Sequence, residues 1–305
     1  MGKLAYSGIG GQAVMEGVMM KYKESYAVAV RKPDHEIIVE KKEYHGICKN
    51  QMLRNMIFVR GVISFVESFI LGLSTLTFSA SFFEEEGKDK GAKSEKKEKV
   101  EMGFTIVLSL LLAVAIFMAL PFYVSLFFQK YISSDTLIIL IEGALRLLIF
   151  FAYIVLISRM EDIRRVFMYH GAEHKCINCI EHGMDLTVEN VRASSREHKR
   201  CGTSFLFFVV IITIIATMFI RVDSRILRLV LRIAIIPLVA GISYEFIRLA
   251  GRSNHPMINA LSKPGLWMQK LTTREPDDEM IEVGIASVDA VFDWKSYVGT
   301  VREET

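Results

Sequence analysis

MGFTIVLSLLLAVAIFMALPFYVSLFF, residues 102–128, runs without a charged side chain. It is longer than the roughly 20 residues that carry a helix across about 30 Å of hydrocarbon. Residues 136–157, 203–220 and 226–250 repeat this composition, with only Glu142 and Arg146 interrupting 136–157. A fifth apolar stretch, 57–83, is long enough to span but carries Arg60, Glu67, Gly61, Gly72 and many Ser and Thr. Across all 305 residues, 51% are hydrophobic and the mean hydropathy is +0.33, more apolar than most soluble chains. The expected fold is mainly α: a polytopic helical membrane protein with about four spanning helices, a re-entrant or interfacial segment at 57–83, and a small N-terminal β-hairpin region.

Lysine and arginine near helix ends stay cytoplasmic. Residues 1–56, 84–101 and 158–202 carry nine, six and eight of them, against Lys130 alone in 129–135 and Arg221 and Arg225 in 221–225. If 57–83 turns back or lies in the interface, every basic segment falls on one side. Both termini and the loop 158–202 are then expected to be cytoplasmic, in an inner membrane. Arg228 and Arg232 near the outer end of the last span run against this, and Glu142 offers them an intramembrane partner.

The chain divides into an N-terminal cytoplasmic region (1–56), the 57–83 segment, a charged linker (84–101), a membrane bundle (102–250) and a C-terminal tail (251–305). Residues 25–47 read as a hairpin, with a turn at Pro33-Asp34. Asn254 to Gly265 reads as a loop. Beyond Pro276-Asp277-Asp278, Ile281, Ile285, Val288 and Phe292 recur at helical spacing, which suits an amphipathic helix docked on protein or lying along the membrane. A net charge of +3 with no basic block argues against nucleic acid. Four unevenly placed cysteines do not make a disulfide framework, so reduced thiols are expected. The first residues lack the apolar core of a secretory signal.

Chemistry concentrates in Tyr169-His170-Gly171-Ala172-Glu173-His174-Lys175, followed by Glu181, His198 and Cys201. His170 and His174 share a helix face and could reach one ion, while Glu173 could poise a water there. The order His-x-x-Glu-His inverts a zinc-protease signature. Glu181 continues the same face, Gly183 supplies a stop, and His198 and Cys201 could fold back. The expected metal ligands are His170 and His174 with one or two of Glu181, His198 and Cys201, and Zn²⁺ is the expected ion. Three ligands would leave a catalytic position, and four would make a structural site. Ordinary polar residues on a solvated helix are the bland alternative. Cys176 and Cys179 could form a redox pair or add ligands, without a thioredoxin-like context. Gly8 to Gly17 lacks a phosphate-loop lysine and reads as a tightly packed loop. Tyr244, Glu245 and Arg248 could be helix-packing groups or the membrane-side wall of the site.

GGQAVMEGVMM at 10–20, YHGAEHK at 169–175, HKRCGTSF at 198–205, YEFIRLAGR at 244–252 and LTTREPDDEMIEVGI at 271–285 together resemble the YqhQ-like family of bacterial multi-pass membrane proteins. That family is described as predicted metal-dependent enzymes, and the resemblance runs from about 8 to 292. Carried over by position, it points to Glu16, His170, Glu173, His174, Glu181, His198, Cys201, Glu245 and Arg248. The leading expectation is a membrane-embedded zinc hydrolase at the cytoplasmic face, with Glu173 as catalytic residue and a membrane peptide or lipid-linked molecule as substrate. The rival is a non-enzymatic factor for membrane-protein assembly or transport, with a structural metal or a polar face that binds other membrane proteins. Either way the lipid bilayer is a partner.

Overall fold

A computed structural model describes residues 5–83, 95–220, 222, 224–253 and 255–303, so most of the charged linker expected at 84–101 lies outside the described residues. The chain separates into two compact units: Met1–Phe83, Val155–Val209 and Ala240–Thr305 form the first, and Glu84–Ile154 with Val210–Val239 the second.

In the first unit, β1 (Gly10–Val14), β2 (Gly17–Tyr22), β3 (Ser25–Arg31) and β4 (Ile37–Glu43) make an antiparallel sheet in that order. The hairpin read at 25–47 is its last pair, with Val28 opposite Glu40. The glycine-rich stretch expected as a packed loop is instead strand β1 and the turn into β2, where Glu16 takes φ 49°. Gly11 sits opposite Met20, so these glycines are sheet positions that need close approach. Strands β2 and β3 are buried on both faces, which is why their apolar residues run together instead of alternating with charges.

The helices are, in order, α1 (Gln51–Asn55), α2 (Val59–Ala80), α3 (Glu95–Val114), α4 (Leu120–Phe128, after a π turn at Ala115–Ala119), α5 (Asp135–Ile157), α6 (Glu161–Glu181), α7 (Val188–Ala193), α8 (Gly202–Thr217), α9 (Arg225–Ala234), α10 (Ile236–Arg252), α11 (Pro256–Thr272), α12 (Asp278–Val291) and α13 (Trp294–Glu303). One sheet face, through Val18, Met20 and Ala29, packs with Tyr169, Ala172 and Cys176 of α6 and with Met280, Ile281 and Val288 of α12. On the other, Val14, Met19, Val28 and Val30 meet Leu71 of α2. The helix anticipated after Pro276 is therefore docked on protein.

Among the described residues, four helical stretches are long and apolar enough to cross a membrane: Val59–Ala80, Val100–Phe128, Asp135–Ile157 and Ile226–Arg252. The expected span 203–220 gives a shorter apolar helix, Gly202–Thr217. Residues 57–83, expected as a re-entrant or interfacial segment, form one unbroken helix from Val59 to Ala80 that is itself long and apolar enough to span. Its glycines are contact points: a Cβ on Gly61 would stand 2.9 Å from Tyr244 Cβ, and one on Gly72 2.5 Å from Gln12 Oε1. Its hydroxyls bond back to the helix, as Thr77 Oγ1 does to the Leu73 carbonyl at 2.9 Å. Residues 256–265, expected as a loop, belong to α11: Pro256 occupies the first turn, where a missing N–H costs nothing, and His255 caps it.

Within the second unit, Glu142 accepts from Arg146 at 2.8 Å and from Arg232 at 2.5 and 2.6 Å. All three side chains are buried, so the carboxylate anticipated as a partner for intramembrane arginine has two of them.

Candidate metal centre

The second half of α6 is buried, and its polar side chains are satisfied by the backbone of the loop that follows. Lys175 Nζ donates to the Arg192 and Ser194 carbonyls, both at 2.9 Å. Asn178 Nδ2 donates to the carbonyls of Ser195 at 2.6 Å and Glu197 at 3.0 Å. Gln269 of α11 accepts from His198 N–H at 2.8 Å and donates to its carbonyl at 2.7 Å. These bonds lay residues 192–200 along α6 and deliver Cys201, the residue before α8, over the histidines.

His170 Nδ1 lies 2.9 Å from the Thr272 carbonyl and His174 Nδ1 2.6 Å from that of Arg196. A carbonyl only accepts, so both Nδ1 atoms carry the proton when the rings are neutral, and each Nε2 keeps its lone pair. His170 Nε2 stands 3.3 Å from Cys201 Sγ, and one donor atom from each of His170, His174 and Cys201 lies within 4.8 Å of the others. Tetrahedral zinc with bonds of about 2.0–2.1 Å to nitrogen and about 2.3 Å to sulfur places its donors roughly 3.3–3.6 Å apart, so this set can close on one ion. Thr203 N–H and Oγ1 approach Cys201 Sγ at 3.4 and 3.0 Å, and Thr272 donates to Thr203 Oγ1 at 3.1 Å.

Burial pushes the Cys201 thiol up, but His170 and His174 outweigh it and hold it well below the ordinary thiol value. Burial would lower His170, yet Cys201, Glu173 and the Thr272 carbonyl together raise it to about 9. Glu173 is buried beside the three, with Oε2 4.0 Å from His170 Nε2. Its carboxyl is raised by burial against the opposing pull of His174 and His170, and it accepts from Gly11 N–H.

The other sequence candidates stand elsewhere. Glu181 accepts from Ser7 Oγ at 2.6 Å and Arg200 at 2.5 Å, and faces His198 Nε2 at 3.5 Å. Burial raises its carboxyl, but His198, Arg200 and Ser7 prevail and bring it down to about 2. His198 is lowered, mainly by burial. Glu16 pairs with Arg165 and meets Tyr169 Oη at 3.2 Å, while Glu245 binds Arg60 at 2.5 Å, with Arg248 at 3.9 Å. Cys176 and Cys179 are free thiols packed in the core between sheet and α12. Thr203, Gln269 and Thr272 were not among the sequence candidates. The only signal for Thr203 and Thr272 was membership of the motifs at 198–205 and 271–285, and Gln269 lay outside both.

No solved structure matches the chain. It is similar to the Uncharacterized protein YqhQ of Bacillus subtilis (strain 168), 36% identical over 286 residues that cover 91% of this chain and 90% of that protein. Residues 56–294 match the family described as Protein of unknown function (DUF1385), which takes in all of the histidine–cysteine cluster, and with a relative this similar over nearly its whole length the chain belongs to the DUF1385 family.

Proposed function

We propose that the chain is an inner-membrane, zinc-dependent hydrolase whose ion is held by Nε2 of His170, Nε2 of His174 and Sγ of Cys201. The supporting observation is that both imidazoles spend Nδ1–H on a backbone carbonyl, which fixes the tautomer and turns two lone pairs toward one thiol. Three protein ligands leave one coordination position. Zinc bound there supplies Lewis acidity toward water and toward a carbonyl or phosphoryl oxygen. Glu173, anchored by Gly11 N–H, takes the proton of the attacking water on a carboxylate oxygen and returns it to the leaving group. A membrane peptide or a lipid-linked molecule is the substrate class. The basic segments 1–56 and 158–202 support a cytoplasmic site, with both termini on the same face.

A second reading has an observation of its own. Cys201, His174 and Glu173 are 4%, 1% and 5% exposed, as closed as a structural metal centre in a non-enzymatic assembly or transport factor. Both readings share the metal, so metal analysis comes first. About one zinc per purified chain is expected, with loss in the double variant His170→Ala, His174→Ala. Stoichiometric metal in that double variant would sink the assignment.

A further inference from the structure

A cavity of about 350 Å³ in the first unit is lined by Arg54, Arg60, Arg248 and Arg252, with Tyr6 and Ser64 among the remaining walls. Four guanidinium groups meet here, and two carboxylates answer them. Glu67 takes Arg54 at 3.0 Å, and Glu245 takes Arg60 at 2.5 Å with Arg248 at 3.9 Å. Among the described residues Arg252 has no ion-pair partner; its guanidinium lies 5.0 Å from the centre of the Tyr6 ring. The balance of four cations against two anions leaves two positive charges on a concave wall, where a forked donor fits phosphate oxygens in pairs.

The place of the cavity narrows the ligand. Arg60 is the second residue of α2, and Arg248 and Arg252 stand in the closing turns of α10. Both belong to stretches long and apolar enough to span, and they touch closely here: a Cβ on Gly241 would come 2.7 Å from the Phe58 carbonyl oxygen. The start of α2 and the end of α10 thus lie together at one end of two apolar helices, where lipid headgroups would meet them. Basic pockets between spanning helices at that depth suit anionic lipid headgroups.

We propose that this arginine pocket binds a phosphate-bearing anion, the headgroup phosphate of an anionic phospholipid in preference to free phosphate. The inference is independent of the metal centre. The test uses the full-length protein stripped of lipid in detergent, with native mass spectrometry after addition of phosphatidylglycerol, phosphatidylcholine or inorganic phosphate. Phosphatidylglycerol is expected to stay bound where phosphatidylcholine does not. The double variant Arg248→Gln, Arg252→Gln is expected to lower its affinity about 25-fold, each arginine near an anionic surface being worth roughly fivefold. Inorganic phosphate that binds with the same arginine dependence and displaces the lipid would keep the phosphate chemistry and overturn the lipid source. Binding of both ligands unchanged in the double variant, or none of either to the parent, would overturn the proposal. Should the double variant fail to fold, exposed Arg252→Gln alone decides, with about a fivefold loss expected and Arg252→Lys recovering most of it.

Discussion

Cys201 Sγ lies 3.3 Å from His170 Nε2, across 31 positions of chain, because the loop between them is hung from α6 by its own carbonyls. His170 and His174 favour the thiolate over the thiol, and the thiolate is the form that ligates zinc. Cys201→Ser keeps the size of the group but places a hydroxyl that stays protonated near neutral pH. Zinc affinity should fall roughly 100-fold or more, beyond what losing a hydrogen bond behind a ligand costs. Competition with a chelator of known affinity measures it, and unchanged retention would remove Cys201 from the ligand set.

Glu181 sets an acid limit on the fold. Its carboxyl is near 2 in the folded chain against an ordinary 4.5, so the charged form is favoured by folding. A depressed carboxyl stabilises fully above about pH 4.5 and loses that contribution as pH falls toward 2, about 3 kcal/mol in all at 1.36 kcal/mol per unit. Glu181→Gln should melt well below the parent at pH 7, and the gap should close in detergent scans taken from pH 5 downward. A gap that stays constant through that window would show that the contacts with His198, Arg200 and Ser7 do not carry the effect.

Gly171 tests whether the site depends on how the chain crosses α6. A Cβ there would fall 2.0 Å from the Arg274 carbonyl oxygen, in the segment just beyond Thr272, whose own carbonyl orients His170. Gly171→Ala must push that strand of backbone outward. A loss of roughly 1–3 kcal/mol in stability is expected from the overpacking, together with weaker metal retention. Wild-type melting and metal content in the variant would show that the contact yields at no cost.

The membrane helices and the shared face of His170 and His174 were readable because each rests on periodicity: length and apolarity for a span, a separation of four for a helix face. The choice of Cys201 over Glu181 and His198 was not readable. It depends on the path of residues 192–200, set by Lys175, Asn178 and Gln269 reaching main-chain carbonyls that any sequence would present. Glu181 lies on the expected face, but Arg200 and Ser7 occupy it. His255-Pro256 resembled a loop for the reason that it starts α11: proline suits a first helical turn as well as a turn. The glycines near residue 11 gave no alternation to count, and β1 went unseen until its partner strand was in place.

The charge asymmetry predicts which ends of the spans face the cytoplasm. Lys130 is the only basic residue in 129–135, and Lys295 lies in a tail following the basic end of α10. With Cys48 replaced by serine, Ser134→Cys should react with an impermeant maleimide in intact cells. Lys295→Cys, on an exposed position of α13, should react only after the cells are broken. Labelling of Lys295→Cys in intact cells would place the metal centre's side of the chain outside.

Glu173 separates the two functional readings, because it adjoins the grouping of His170, His174 and Cys201 without belonging to it. In the hydrolase its carboxylate moves a proton, so Glu173→Gln should keep fold and zinc while removing a factor of roughly 10² to 10⁴ in rate. In the structural reading the amide fills the same space beside Gly11, and function should survive. Rescue of a knockout strain by Glu173→Gln, measured beside the His170→Ala, His174→Ala variant at equal expression, distinguishes them. Full rescue by a zinc-bearing Glu173→Gln protein would end the hydrolase reading. Failure with zinc and melting temperature unchanged leaves proton transfer as the lost step, since shape, metal and fold would all have been retained.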